Sequence, residues 1–141
     1  MANQAPNHFK YLLAMKAIDF ANDSFIIILM QSGFVFDKDS HAEYADVSGN
    51  ELATANGYTQ KTEVLANVAV TEDDVDDRCE VTWDPAAWTA AGGAIGPASG
   101  AIIIDDTVAN DPVVCYIDFI TDRVQASGGT YTVNNIEVRI S

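Results

Sequence analysis

Short apolar, β-branched runs recur along the chain, and clusters of turn-forming residues close each one. Residues 58–61, 64–70, 79–83, 101–105, 113–119, 130–133 and 136–140 carry this pattern. Between them lie Glu72-Asp-Asp-Val-Asp-Asp77, Gly92-Gly93, Gly96-Pro97, Asn110-Asp-Pro112, Ser127-Gly-Gly129 and Asn134-Asn135. Residues 25–30, Phe-Ile-Ile-Ile-Leu-Met, are apolar without interruption, as a strand covered on both faces must be. Short strands at this spacing close into sandwiches, jelly rolls or barrels. The expected fold is all-β, a jelly-roll-like sandwich of about eight or nine strands with one short helical insertion. No interdomain linker is visible, so residues 9–141 read as a single domain behind a loose arm of residues 1–8.

Two stretches depart from the pattern. In residues 9–17 the odd positions are Phe9, Tyr11, Leu13, Met15 and Ala17, while Lys10 and Lys16 sit on even ones. That spacing predicts a strand with one wet face. Leu12 interrupts it and keeps a helix as the alternative. Residues 37–56 are polar and lack alternation. There Ser48 and Glu51 have capping-box spacing, which predicts a short helix to Ala55, stopped by Asn56-Gly57. His41-Ala-Glu-Tyr-Ala adds a further single turn.

Charge sets the partners. Twenty-one acidic residues face seven basic ones, for a net charge of −14. Nucleic-acid phosphate and anionic membranes are disfavoured as partners. The chain is 48% hydrophobic and 20% charged, too apolar for a disordered acidic tail. No apolar run approaches the roughly 20 residues of a spanning helix. The N-terminus lacks the basic and apolar regions of a signal peptide, so synthesis in the cytoplasm is expected. Cys115, inside Val-Val-Cys-Tyr-Ile, reads as a buried small hydrophobe, and a disulfide to Cys79 is not expected.

No catalytic set, metal site or cofactor motif stands out. Asp39-Ser40-His41 has the residue types of a triad, but adjacent loop residues rarely reach triad geometry, and loop hydrogen bonding accounts for them. The run Asp73–Asp77 lacks the glycine and glutamate of a calcium loop and reads as a solvated turn. Trp83 and Trp88 bracket Asp84-Pro85. Trp88, Tyr58 or Tyr131 as a sugar-stacking platform would make the chain a jelly-roll carbohydrate-binding module, with acidic loops for calcium. Paired carboxylates in one cleft would make it an acid hydrolase.

One resemblance covers residues 9–140. It is carried by Ile18-Asp-Phe-Ala-Asn-Asp23-Ser-Phe, Leu29-Met-Gln-Ser32-Gly-Phe34, and Asp39-Ser-His41 followed by Tyr44 and Asp46-Val47. Asn50-Glu51-Leu52, Gly57-Tyr58-Thr59, Leu65, Trp83 and Ala98 continue it. Ile104-Asp105-Asp106-Thr107 and Pro112-Val-Val-Cys-Tyr116-Ile117-Asp118-Phe119 complete it. In this order they resemble a family of capsid decoration, or cement, proteins of tailed phages and prophages. The family often has Gly-Gly where this chain has Lys61-Thr62, and Gly where it has Ile120.

The resemblance implies a jelly roll and a non-enzymatic virion structural protein on the outer capsid surface, clamping neighbouring capsid subunits. Genomic relatives also serve at the neck or tail. The implied partners are the major capsid protein and a second copy of the chain, paired through a strand edge into a homodimer. An acidic face suits the outside of a shell filled with DNA. Arms and long loops are where small β proteins bind. In the arm the candidate contacts are Asn3, Gln4, Asn7, His8 and Phe9. In the insertion they are Asp39, His41 and Tyr44, with Trp88 beyond it.

Overall fold

The computed structural model describes residues 2–141. Strands make up 45% of the chain and helix 11%. The elements are β1 (Ala2–Gln4), α1 (Asn7–Ala14), β2 (Phe25–Gln31), α2 (Tyr44–Val47), a 3-10 turn (Ser48–Asn50), β3 (Glu63–Val64), β4 (Ala69–Asp73), β5 (Arg78–Thr82), β6 (Ala86–Thr89), β7 (Ile95–Asp105), β8 (Val113–Gln125), β9 (Thr130–Val133) and β10 (Glu137–Ile140). All pair antiparallel, in sheets of order β1-β8-β7-β2-β3, β10-β5-β4 and β6-β9. The all-β sandwich expected from the turn spacing is the fold observed.

Sheet pleat divides the apolar residues into two cores. In β2, Phe25, Ile27 and Leu29 face the two smaller sheets and pack with Val81, Trp88, Tyr131 and Val138. Ile26, Ile28 and Met30 face the other way, with Ile102, Ile104, Val113 and Tyr116. The five-stranded sheet is therefore apolar on both sides. Phe34 and Phe36, just before the polar insertion, and Tyr44 and Val47 within it cover the second side.

A buried carboxylate pins this cover down. Glu51 is 1% exposed. It accepts hydrogen bonds from the hydroxyls of Tyr44 (2.7 Å) and Tyr58 (2.9 Å) and from the Lys61 amide (3.0 Å). The Tyr58 hydroxyl accepts from the Leu29 amide at 2.9 Å, and Leu52 N–H bonds Leu29 O at 2.8 Å. Both bonds use the edge of β2 beyond its short pairing with β3. Burial raises the Glu51 carboxyl above its ordinary pKa, while the three donors pull it down.

Several expectations change. Residues 9–14 lie in a helix. Pro6 fixes the backbone just before its first turn, and Phe9, Leu12 and Leu13 meet the core at i, i+3 and i+4 spacing. Leu12 was the residue that broke the alternation. The arm is not loose, because β1 pairs with β8 across Asn3 and Ile117. Glu51 caps no helix: its carboxylate is spent on the tyrosines, and the capping box is formed by Glu43 and Asp46 instead. Asn56-Gly57, with φ of 57° and 97°, turns the chain back so that Ala55 and Tyr58 pair. That is the two-residue hairpin signal of an Asn-Gly pair, not a helix stop. Residues 58–61 therefore leave a turn rather than form a strand. β6 was not anticipated.

Glu51→Gln keeps the shape but loses acceptor capacity for the tyrosine hydroxyls and the Lys61 amide. Urea unfolding is expected to show a loss of about 1–3 kcal/mol.

Candidate interaction surface

Two sequence candidates, the arm and the insertion, meet in space. Asn7 N–H bonds the Lys38 carbonyl at 3.0 Å, and the Asn7 side chain donates to Asp39 at 2.6 Å. Asn3 donates to the Glu137 carbonyl at 2.6 Å, tying β1 to β10. Gln4 lies between two depressions. One, of about 560 Å³, has Phe9, Leu13 and Ile140 in its lining and the cations Lys10, Lys38 and Arg139 around it. The other, of about 340 Å³, runs between Phe34-Val35-Phe36 and residues Tyr116, Asp118, Ile120 and Asp122.

Other candidates serve the fold. Phe9 is buried, fixing α1 to the core. Trp88 is buried against Tyr58 and Tyr131, at ring-centre distances of 5.7 and 6.1 Å. All three rings are inside the sandwich, so none is a sugar-stacking platform or a partner contact. His8 stacks on Tyr11. His41 lies over Phe34 and Phe36, and its Nδ1 accepts from the Asp37 amide at 3.0 Å. That is the loop hydrogen bonding expected of it. Tyr44 sits under the Lys61 ammonium, 4.8 Å from the ring centre, with its hydroxyl on Glu51.

Ile120 escaped the strand pattern. In β8, Asp118 pairs with Gly100 and Arg123 with Ala98, so residues 119–122 bulge opposite the single Ser99. Ile120 is 73% exposed with φ of 71°. Among the described residues with positive φ outside glycine, it is the only β-branched one. Its amide bonds the Asp118 carboxylate at 2.8 Å, which helps hold the turn. Val35, across the depression, is 79% exposed. The sequence carried one trace of this position: the glycine of the resembled family falls here.

A carboxyl pair lies at the far end of β2 and β7. Asp105 is fully buried, and its Oδ1 accepts from the amides of Thr107 (2.9 Å) and Val108 (3.3 Å). Burial first, and then the adjoining Asp23 carboxyl, push Asp105 up to about 7. Asp105 is wholly buried, so its carboxyl is packed into the fold. The run Asp73–Asp77 is the expected turn, with Asp73 accepting from the amides of Val75 and Asp76 and pairing with Arg78 at 3.4 Å. Cys79 and Cys115 are free thiols, and burial pushes Cys115 up to about 12. No helix is long and apolar enough to cross a membrane.

No protein family, curated protein or solved structure matches the chain.

The Asp105 pKa lies above its unfolded value, so the fold favours the protonated carboxyl. Its contribution is complete below about pH 4 and is lost as pH rises to about 7. Asp105→Asn keeps the acceptor and replaces the acid by an amide. Its stability relative to the parent is expected to climb across that window, with a slope of up to about 1.4 kcal/mol per pH unit in urea titrations.

Proposed function

We propose that this chain is a non-enzymatic structural protein of a tailed-phage virion. It binds the outer capsid surface and clamps neighbouring copies of the major capsid protein. The observation that carries the reading is Ile120: a large apolar side chain, exposed, on a bulge, in a backbone region that disfavours it. A β-branched residue at positive φ costs roughly 1–3 kcal/mol. Such strain beneath a mostly exposed side chain is accounted for if the side chain is covered by a partner. With Val35 and the half-buried Phe36, Ile120 makes an apolar patch on a chain of net charge −14. The edge strand β1 borders the same depression through Gln4.

The remaining charge supports an outward orientation, away from packaged DNA. Many symmetric copies on a shell turn a modest apolar contact into a firm one. Burial of the candidate stacking rings removes the support for a carbohydrate-binding module.

The direct test compares capsids of the encoding phage or prophage with and without the chain. Heating or osmotic shock is expected to release DNA earlier from bare capsids. Equal release contradicts the reading, and binding only to necks or tails moves the chain there. Ile120→Gly separates strain from contact. Relief of the left-handed strain is expected to stabilise the free protein by about 1 kcal/mol. Loss of the side chain is expected to weaken capsid binding about tenfold or more in sedimentation assays.

A further inference from the structure

We propose that two copies pair about a two-fold axis, each seating the β4–β5 hairpin tip in the other's cationic groove. The groove holds three of the chain's seven basic residues, Lys10, Lys38 and Arg139, and no carboxylate side chain lines it. Helix α1 supplies Phe9, Lys10 and Leu13, and β10 supplies Arg139 and Ile140. Lys10 and Lys38 form no ion pair among the described residues. The result is an apolar floor with two unpaired lysines beside it, and with Arg139, which pairs with Glu137 at 2.8 Å, on a molecule that is otherwise strongly acidic.

The hairpin tip has the opposite chemistry. Its sequence, Asp73-Asp74-Val75-Asp76-Asp77, sets one valine between acidic pairs, and Val75 is 90% exposed. Arg78 pairs with Asp73 and Asp76, leaving Asp74 and Asp77 without ion pairs. A valine for the floor and free carboxylates for the ammonium groups match the groove.

The two patches are neighbours on one end of the molecule. β10 pairs with β5 so that Ile140 meets Cys79 and Arg139 meets Glu80, and β5 then leads back into the hairpin. The β4-β5-β10 ladder holds the tip beside its own groove, not in it. Adjacent complementary patches form a closed, isologous pair, in which each contact occurs twice. Screening over about 8 Å at physiological salt confines the repulsion between the acidic bodies, while the direct contacts are less screened. This pairing rests on the virion reading only for its place on a shell, and it replaces strand-edge pairing as the route to a dimer.

The test uses purified chain without capsids, so its failure leaves the capsid experiment standing. Sedimentation at physiological salt is expected to show a dimer for the parent. Asp74→Lys/Asp77→Lys and Lys10→Glu/Lys38→Glu each face like charge with like. Each alone is expected to weaken dimerisation about tenfold or more. An equimolar mixture of the two restores both complementary contacts and is expected to dimerise again. Circular dichroism confirms that each variant is folded, and recovery in the mixture is itself a result misfolded chains do not give. A parent that stays monomeric at its highest soluble concentration overturns the proposal. So do variants that dimerise like the parent, or a mixture that stays monomeric.

Discussion

The five-stranded sheet is apolar on both faces, and most of the molecule follows from that constraint. One face is closed by the two smaller sheets and α1. The other would be left open by a simple two-layer sandwich. The long excursion between β2 and β3 closes it, laying Phe34, Phe36, Tyr44 and Val47 over Ile28, Ile102 and Tyr116. Polar chain makes a poor lid unless its backbone and charges are satisfied. Glu51 does this, drawing Tyr44, Tyr58 and the turn at Lys61 together from inside. The lid then carries Val35 to the rim beside β1, and the β8 bulge presents Ile120 from the opposite side. The apolar surface patch is thus a by-product of covering the sheet.

The β pattern was legible because strands are local. Thr130–Val133 and Glu137–Ile140 lie where the alternation and flanking turns put them. Residues 25–30 were recognisable as a doubly buried strand from composition alone. Where one period can imitate another, the reading failed. Phe9, Leu13 and the neighbouring Leu12 satisfy a helix face as well as a broken strand, and only the docking of α1 on the core decides between them. Asn56-Gly57 is equally a helix stop and a hairpin turn. The hairpin follows from the pull of Tyr58 toward Glu51, a contact between residues seven apart.

Surface features were the least legible. Lys10, Lys38 and Arg139 look scattered along the chain, and only the meeting of α1, β10 and the insertion gathers them. Ile120 falls just past the expected strand of residues 113–119, and neither its positive φ nor its exposure shows in the sequence. Two departures from the resembled family, Lys61 and Ile120, both fall at positive φ, 56° and 71°. Glycine accepts that conformation without strain. At Lys61 the backbone and ammonium are held by Glu51, Asp111 and the Tyr44 ring. At Ile120 the amide is held by Asp118 but the side chain is 73% exposed, which is why the position matters to the functional reading.

The central claim is that the face bearing Ile120 meets the shell. Hydrogen exchange on the chain, free and bound to capsids, tests it most directly. The account predicts slowed amide exchange on binding in residues 2–4, 33–36 and 119–122. Binding with unchanged exchange in all three segments would contradict it.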